Sequence, residues 1–261
     1  MNTDSSRSKQ ITLAEAVARI TATSCVAMGG WSFSRRPLGV VREIVRQKIR
    51  FEELVVVTGG LETDLLVATE SVERIRSFYF GMEILGMGAG LKGPCQVVEE
   101  SEGSLIHGLR AAINHQSFVP LPMSQSEALQ QVRPELVTQT CPYTGKQHLL
   151  VPAIRPDICF LHVAKADLRG NAVLTGQQGA DSLLAQASRQ TIITCDELVD
   201  SLAGQVDQVN LNELQVDAVV HLPKGAWPTS CQPLYQADWN QLIDYVGLKR
   251  EQVAQWLEAT Q

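Results

Sequence analysis

An apolar run that ends in two glycines and leads into an amphipathic segment constrains the fold of this chain most. The run Cys25–Met28 predicts a strand, Gly29-Gly30 predicts a turn, and the apolar spacing over 38–48 predicts a helix that opens after Pro37. A strand, a glycine turn and a helix start bring backbone N–H groups close to an anionic ligand. The spacing is neither G-x-G-x-x-G nor that of a P-loop, so the chain carries no nucleotide fingerprint.

The same alternation of apolar strands and helical segments continues along the chain. Further strands are predicted at 54–58, 74–80, 95–99, 153–162, 191–195 and 216–221. Nearly all-apolar strands separated by helices predict an α/β fold: an open, mainly parallel sheet with helices on both faces. We expect a single α/β domain over 11–261, a disordered N-terminus over 1–10, an irregular stretch over 120–148 and one helix over Trp239–Leu257.

Composition and charge exclude several classes of function. Apolar residues make up 44% of the 261, and the formal net charge is −6. Such a charge gives no support for a nucleic-acid or anionic-membrane partner, and no apolar run reaches the length of a membrane span. The six cysteines form no C-x-x-C pair, so we expect no metal-ligand cluster. The polar start of the chain, which has no signal-peptide core, predicts a cytoplasmic location.

Ligands bind such sheets at the carboxyl ends of the strands, where two glycine pairs fall in this sequence. Gly29-Gly30 and Gly59-Gly60 either serve tight turns or face a ligand. Arg35 and Arg36 are either solvated surface charges or planar partners for a substrate carboxylate or a phosphate. His162 ends an apolar strand. Its side chain is either a core imidazole or a residue of the site.

Glu102 precedes a helix predicted over 105–113, and this position allows two interpretations. A carboxylate at a helix start stabilises the helix dipole by about 0.3–1 kcal/mol. It also suits a general base that activates water or removes a proton next to a carbonyl group. Asn171 belongs to the stretch Asp167–Asn171, which is typical of a surface turn.

Several ordered motifs resemble the α (A) subunit of the family I CoA-transferases, nearest to the glutaconate CoA-transferase branch. They extend over about residues 10–245 and comprise Gly29–Pro37, Val41–Arg46, Phe118–Pro122, Val151–His162, Asp167–Asn171, Gln190–Glu197, Val216–Val220 and Gly225–Cys231 with Tyr235. The resemblance implies the open sheet that these transferases share with certain sugar-phosphate isomerases. It also implies that the chain acts on an acyl-CoA together with a partner β subunit, in a heterodimer or heterotetramer. In that family the attacking glutamate usually belongs to the β subunit, and CoA is part of the substrate while no cofactor stays bound.

Two relatives in that branch differ in chemistry, and Glu102 bears on the choice. One is a hydrolase that opens the last steroid rings of a CoA thioester, and another decarboxylates 3-methylglutaconyl-CoA. The stretch Glu99–Ala112 resembles the hydrolase around the glutamate of its α subunit, so Glu102 is the candidate catalytic residue. The candidate substrate-binding residues are Gly29, Gly30, Trp31, Arg35, Arg36, Gly59, Gly60, His162 and Asn171. CoA transfer, hydrolytic opening of a ring or C–C bond, and decarboxylation all stay open, as does a non-catalytic α subunit or ligand-binding protein on the same fold.

Overall fold

The computed structural model describes residues 8–259, apart from the side chain of Val206, and shows a central sheet between two layers of helices. The strands are β1 (Cys25–Met28), β2 (Phe51–Val55), β3 (Val72–Ser77), β4 (Gln96–Glu99), β5 (Phe118–Pro122), β6 (Thr138–Thr140), β7 (Gln147–Pro152), β8 (Ile158–Asp167), β9 (Ala172–Val173), β10 (Gln190–Val199) and β11 (Ala218–His221). The helices are α1 (Leu13–Val17), α2 (Leu38–Arg46), α3 (Leu61–Ala68), α4 (Glu102–Ile113), α5 (Glu127–Val132), α6 (Asp181–Ala187), α7 (Trp239–Val246) and α8 (Arg250–Ala259).

The main sheet has the order β11-β10-β8-β1-β2-β3-β4, and these strands are all parallel. The short β9 runs antiparallel, against β8. The sequence-based prediction of a mainly parallel sheet with helices on both faces is therefore confirmed. β1 occupies the position predicted for it at Cys25–Met28.

Side chains alternate between the two faces of the sheet and build two separate cores. In β1, Val26 and Met28 pack into one core with α1, α2, α3, α7 and α8, whereas Ala27 packs into the other with α4 and α6. This alternation follows from the period of two in a strand. The sheet is thus covered on both sides, and ligands can reach it only at its ends.

The predicted irregular stretch over 120–148 is wrong. It contains α5 and most of a second, antiparallel sheet in the order β5-β7-β6. Two prolines, Pro120 and Pro122, lie in β5, where they are tolerated because β5 is an edge strand. The three residues of β6 are all exposed, so no apolar alternation marks that strand.

Other boundaries differ from the prediction as well: β2 and β3 begin and end two to three residues earlier than predicted, and β10 continues four residues further. The single C-terminal helix is divided into α7 and α8 because Gly247 ends the first and the Gln252 side chain accepts the Lys249 N–H at the start of the second. The strand predicted from residue 153 begins at Ile158 and continues to Asp167.

At the start of the chain, residues 1–7 of the expected disordered stretch lie outside the described residues. Lys9 and Gln10, by contrast, pair with the main sheet: the Lys9 N–H donates to Leu168 O at 2.8 Å, and Gln10 bridges to Val219 in β11. Over residues 8–259 every helix is too short or too polar to cross a membrane.

Candidate functional site

Hydrogen bonds join the loops at the carboxyl ends of four adjacent strands, through the backbone for β2, β3 and β4 and through the Arg36 side chain for β1 and β2. We call these loops, residues 29–36, 58–60, 78–80 and 100–102, the carboxyl rim. The Gly59 N–H donates to Tyr79 O at 2.7 Å, which joins the loops after β2 and β3. The Glu100 N–H donates to Ser77 O at 3.1 Å, which joins β3 to the loop after β4. The rim is therefore a continuous wall at the end of the sheet where ligands bind in α/β folds.

The first glycine turn is fixed by a carboxylate from a distant part of the chain. Asp181, the first residue of α6, accepts the Gly30 N–H at 2.8 Å and pairs with the Arg35 guanidinium at 2.5 Å. Arg35 also donates to Gln177 O at 2.5 Å. Gly30 has φ +94°, and a Cβ there would lie 2.9 Å from the Arg35 carbonyl group. Only glycine fits this turn without strain.

Arg36 joins the first glycine turn to the second. Its guanidinium donates to Glu62 at 2.8 Å and to Thr58 O at 2.6 Å, and its Nε donates to Ser32 O. The Glu62 carboxylate also accepts the Gly60 N–H at 3.1 Å. A Cβ at Gly60 would lie 3.1 Å from the Arg36 guanidinium carbon, so glycine permits this close approach.

The expectation that Arg35 and Arg36 are solvated surface charges is wrong. Both are buried, with 0% and 2% of their surface exposed, and each is paired with a buried carboxylate. Their side chains hold the rim in shape, and direct contact with a substrate stays a prediction. Gly29, Gly30, Gly59 and Gly60 are also buried, whereas Trp31 is partly exposed.

Glu102 is placed differently from the two carboxylates before it. It is exposed and opens α4, rather than preceding it, directly after the capping residue Ser101. Glu100 is buried and accepts hydrogen bonds from Arg76 at 2.5 Å, Arg133 at 2.9 Å and Ser104 at 2.5 Å. Within residues 8–259, no hydrogen bond or ion pair occupies the Glu102 carboxylate. The rim thus presents one free carboxylate beside one that is fully engaged.

His162 lies in a buried polar cluster between β8, β10 and the loop after β11. Its Nδ1 lies 2.8 Å from Thr194 Oγ1, and its Nε2 lies 2.8 Å from an Asp196 oxygen and 3.4 Å from the Tyr235 hydroxyl. Burial lowers the pKa of His162, which favours the neutral imidazole. Burial alone would raise the pKa of Asp196, but hydrogen bonds from His162, the Lys224 N–H and Cys231 outweigh it and lower that pKa.

Cys231 completes this cluster from the loop. Burial, together with the Asp196 charge, raises the pKa of its thiol to about 12. The first of the two interpretations of His162, a core imidazole with hydrogen-bond partners, matches the geometry.

Asn171 lies in the turn after β8, and its side chain is used inside the protein. Its Nδ2 donates to Asp167 at 2.9 Å, and its Oδ1 accepts the Glu213 N–H at 3.1 Å. Asp167 is buried and also accepts the Leu202 N–H. The turn therefore packs against the segment that follows β10, and a role for Asn171 in substrate binding stays a prediction.

Two cavities are relevant to the site, and one of them adjoins the loop after β1. One, of about 340 Å³, lies between Trp31, Gln177, Ser230 and Trp239. The other, of about 710 Å³, lies between α2 and the segment 222–227 and is lined by basic side chains that include Arg42 and Lys224. Burial lowers the pKa of Arg42 to about 10. The first cavity opens beside a predicted substrate-binding residue, and the second offers positive charge to an anion.

Sequence reasoning missed the acidic partners that hold this site. Asp181 pairs with Arg35 across 146 positions of the chain, and Asp196 pairs with His162 across 34. Neither pairing has a spacing that a sequence pattern reveals. The one available signal was Glu62, which lies two residues after the second glycine pair and close to a helix start.

Comparisons with known proteins agree with this geometry. The family model described as Coenzyme A transferase matches residues 10–222. The A subunit of the 3-oxoadipate CoA-transferase of Pseudomonas knackmussii is 29% identical, over 95% of this chain and 92% of its own. The cholesterol ring-cleaving hydrolase IpdA subunit of Mycobacterium tuberculosis is 32% identical, over 88% of this chain and 84% of its own.

Solved structures show the same relationship. A variant of the decarboxylase AibA/AibB superposes with a TM-score of 0.88 at 30% identity, covering 97% of this chain and 98% of that one. Glutaconate coenzyme A-transferase from Acidaminococcus fermentans superposes with a TM-score of 0.82 at 24% identity, covering 97% of this chain and 87% of that one. The second match concerns the fold.

Proposed function

The chain belongs to the coenzyme A transferase family, among its A subunits, and we propose that it forms half of an active site for an acyl-CoA, with Glu102 as the general base. The observation that carries this proposal is the free, exposed Glu102 carboxylate at the carboxyl rim. Glu100, two residues earlier, is excluded from such a role because two arginines and a serine already occupy its oxygens.

The position of Glu102 suits proton transfer to and from a substrate that a second chain helps to hold. The positive end of the α4 dipole favours the charged carboxylate, which is the form that accepts a proton. An exposed carboxylate takes a proton from water, or from a carbon next to a carbonyl group, when the substrate brings that proton within about 3 Å. The proton then resides on Glu102 until the product leaves.

Binding of the substrate is proposed at the glycine turns and Trp31. Gly29, Gly30, Gly59 and Gly60 allow backbone to approach the ligand, and Trp31 lines the 340 Å³ cavity beside them. The N–H groups of the four glycines are themselves bonded within the protein, so the glycines contribute close approach and not N–H donors. For Arg35, Arg36, His162 and Asn171 we propose an indirect role. Their side chains fix the loops that contact the substrate, because their polar atoms already bind partners within the protein.

The proposal includes a partner β subunit, in a heterodimer or heterotetramer, and a cytoplasmic location. The relatives of this chain are named as subunits, which supports the presence of a second chain in the active enzyme. CoA enters as part of the substrate, and no permanently bound cofactor is proposed. Acids named in the relatives, 3-oxoadipate and glutaconate, are the first candidates for the acyl group.

The test uses the chain co-purified with a β-type subunit from the same organism and measures consumption of a panel of CoA thioesters. We expect Glu102→Gln to lower kcat by about 10²–10⁴-fold, the usual contribution of general acid–base catalysis, with the fold retained. Glu99→Gln is the matched control, because Glu99 is also an exposed carboxylate on the same segment, and its kcat should stay within about twofold of the wild type. Wild-type kcat in Glu102→Gln would remove Glu102 from the mechanism.

The same assay separates the possible reactions. Transfer requires a second carboxylic acid and exchanges CoA between acids, hydrolysis consumes water without an acceptor, and decarboxylation releases CO₂. A non-catalytic α subunit is the alternative proposal. It predicts that turnover by the β subunit tolerates simultaneous substitution of Glu102, Arg35 and Arg36 in a folded complex.

A further inference from the structure

Three side chains with metal-binding donor atoms meet between β8, β10 and the loop after β11, although their spacing along the chain predicts no metal-ligand cluster. His162 comes from β8, Asp196 from β10 and Cys231 from the loop after β11. One donor atom of each lies within 4.8 Å of the others, and His162 and Cys231 are fully buried. The register of β8 and β10 pairs His162 with Thr194, so Asp196, two residues further on, projects from the same face of the sheet.

Arg35, a basic side chain whose charge acts on His162 and Cys231, is itself paired with Asp181. The Asp196 side chain is only 8% exposed, and its oxygens contact His162 and the Lys224 N–H. Among the described residues, no lysine or arginine forms an ion pair with it. A largely buried carboxylate that no lysine or arginine pairs with is costly, and a bound cation is one of the ways in which proteins offset that cost.

We propose that His162, Asp196 and Cys231 bind a zinc ion that fastens the loop after β11 to the main sheet. Imidazole nitrogen, thiolate sulfur and carboxylate oxygen are the donors that zinc prefers, and a thiolate with a carboxylate neutralises its two charges. Binding converts the Cys231 thiol to a thiolate and releases its proton to solvent. A water molecule or the Tyr235 hydroxyl, 3.4 Å from His162 Nε2, completes the coordination.

The geometry requires only small movements. Zinc bonds of about 2.0–2.3 Å in a tetrahedron separate the donor atoms by roughly 3.3–3.8 Å. Donor atoms that lie at the upper limit of 4.8 Å would have to approach one another by about 1.0–1.5 Å to reach this range. The 2.8 Å hydrogen bond between His162 and Asp196 opens as the ion enters between them.

The ion would fix one wall of the cavity beside Trp31. Ser230 and Gln232, the neighbours of Cys231, line that cavity, and a short backbone bridge joins Cys231 to Tyr235. The three ligands come from elements that are distant in sequence, so the metal would act as a cross-link. This role is independent of whether Glu102 is the base.

The test measures metal binding by the full-length chain in the oligomeric form in which it purifies. After removal of metal, titration with Co²⁺ should give one equivalent per chain and an intense near-ultraviolet band from thiolate-to-cobalt charge transfer. Zinc should displace the cobalt and raise Tm by about 5 °C at a hundredfold excess over Kd. Absence of the band in the wild type overturns the proposal without any variant.

Variants locate the site. Cys231→Ala and His162→Gln should each abolish the band, whereas Cys195→Ala, which removes another buried thiol, should keep it. Asp196→Asn, which preserves the shape of the side chain, should weaken cobalt binding at least tenfold. It tests the assignment even if the other variants fail to fold. A band of unchanged intensity in folded Cys231→Ala means that another thiol binds the metal and refutes the assignment.

Discussion

Removal of the Arg35 charge should destabilise the protein far more than removal of an exposed arginine. Arg35 is 0% exposed and the Asp181 side chain 2%, so Arg35→Gln leaves a buried carboxylate whose remaining partner is the Gly30 N–H. Breaking a buried ion pair in this way costs about 3–5 kcal/mol. For a chain of this size that loss corresponds to a fall in Tm of roughly 10 °C.

Urea unfolding followed by tryptophan fluorescence measures the effect. Arg50→Gln is the matched control, because its pair with Glu70 is 72% and 67% exposed and should contribute about 0–1 kcal/mol. The double variant Arg35→Gln with Asp181→Asn should recover part of the loss, because no charge then stays buried without a partner. If Arg35→Gln loses no more stability than Arg50→Gln, the rim does not depend on this pair and the reasoning fails.

Two further predictions concern the rim and an ion-pair cluster on the inner strands β2 and β3. Gly30→Ala should lower the free energy of unfolding by about 1–3 kcal/mol, because φ is +94° and the new Cβ meets the Arg35 carbonyl group. Gly204→Ala is the control: it has open space around it and should be nearly neutral in the same urea assay. Burial alone would raise the pKa of Glu53, but hydrogen bonds from Arg76 and Arg74 outweigh it and lower that pKa. The stabilisation from Glu53 is therefore complete above its unfolded pKa of 4.5 and is lost as the pH falls through the lower pKa of the folded state. Unfolding curves recorded over that acid range should show that Glu53→Gln loses less stability per pH unit than the wild type. An equal loss per pH unit in both proteins would contradict this.

The parallel sheet was predictable because several of its strands, β1, β8 and β11 among them, are largely buried and nearly all apolar. Cys25–Met28 is such a run, and its bounds were correct. The small antiparallel sheet was missed for the opposite reason. Its strands β5 and β6 are mostly exposed and rich in proline, threonine and glutamine, so neither apolar runs nor alternation marks them.

The candidate site was predictable only in part. The positions of the glycine pairs at the carboxyl ends of strands, and of Glu102 at a helix start, could be read from the sequence, whereas their role in binding and catalysis stays a prediction. The burial of Arg35 and Arg36 was not predictable, because it depends on carboxylates that the fold brings from other elements. The cluster of His162, Asp196 and Cys231 was hidden for the same reason.

The unequal lengths of neighbouring strands explain why the chain doubles back at β9. β1 pairs with β8 only as far as Phe160, so the last seven residues of β8, 161–167, extend roughly 23 Å past their partner on that side. Such an unpaired flank invites another polypeptide to add a strand. The reversal at Asp167–Asn171 returns β9 along this flank and seals part of it. Loss of that reversal would therefore expose a template for self-association, a hazard separate from any loss of catalysis.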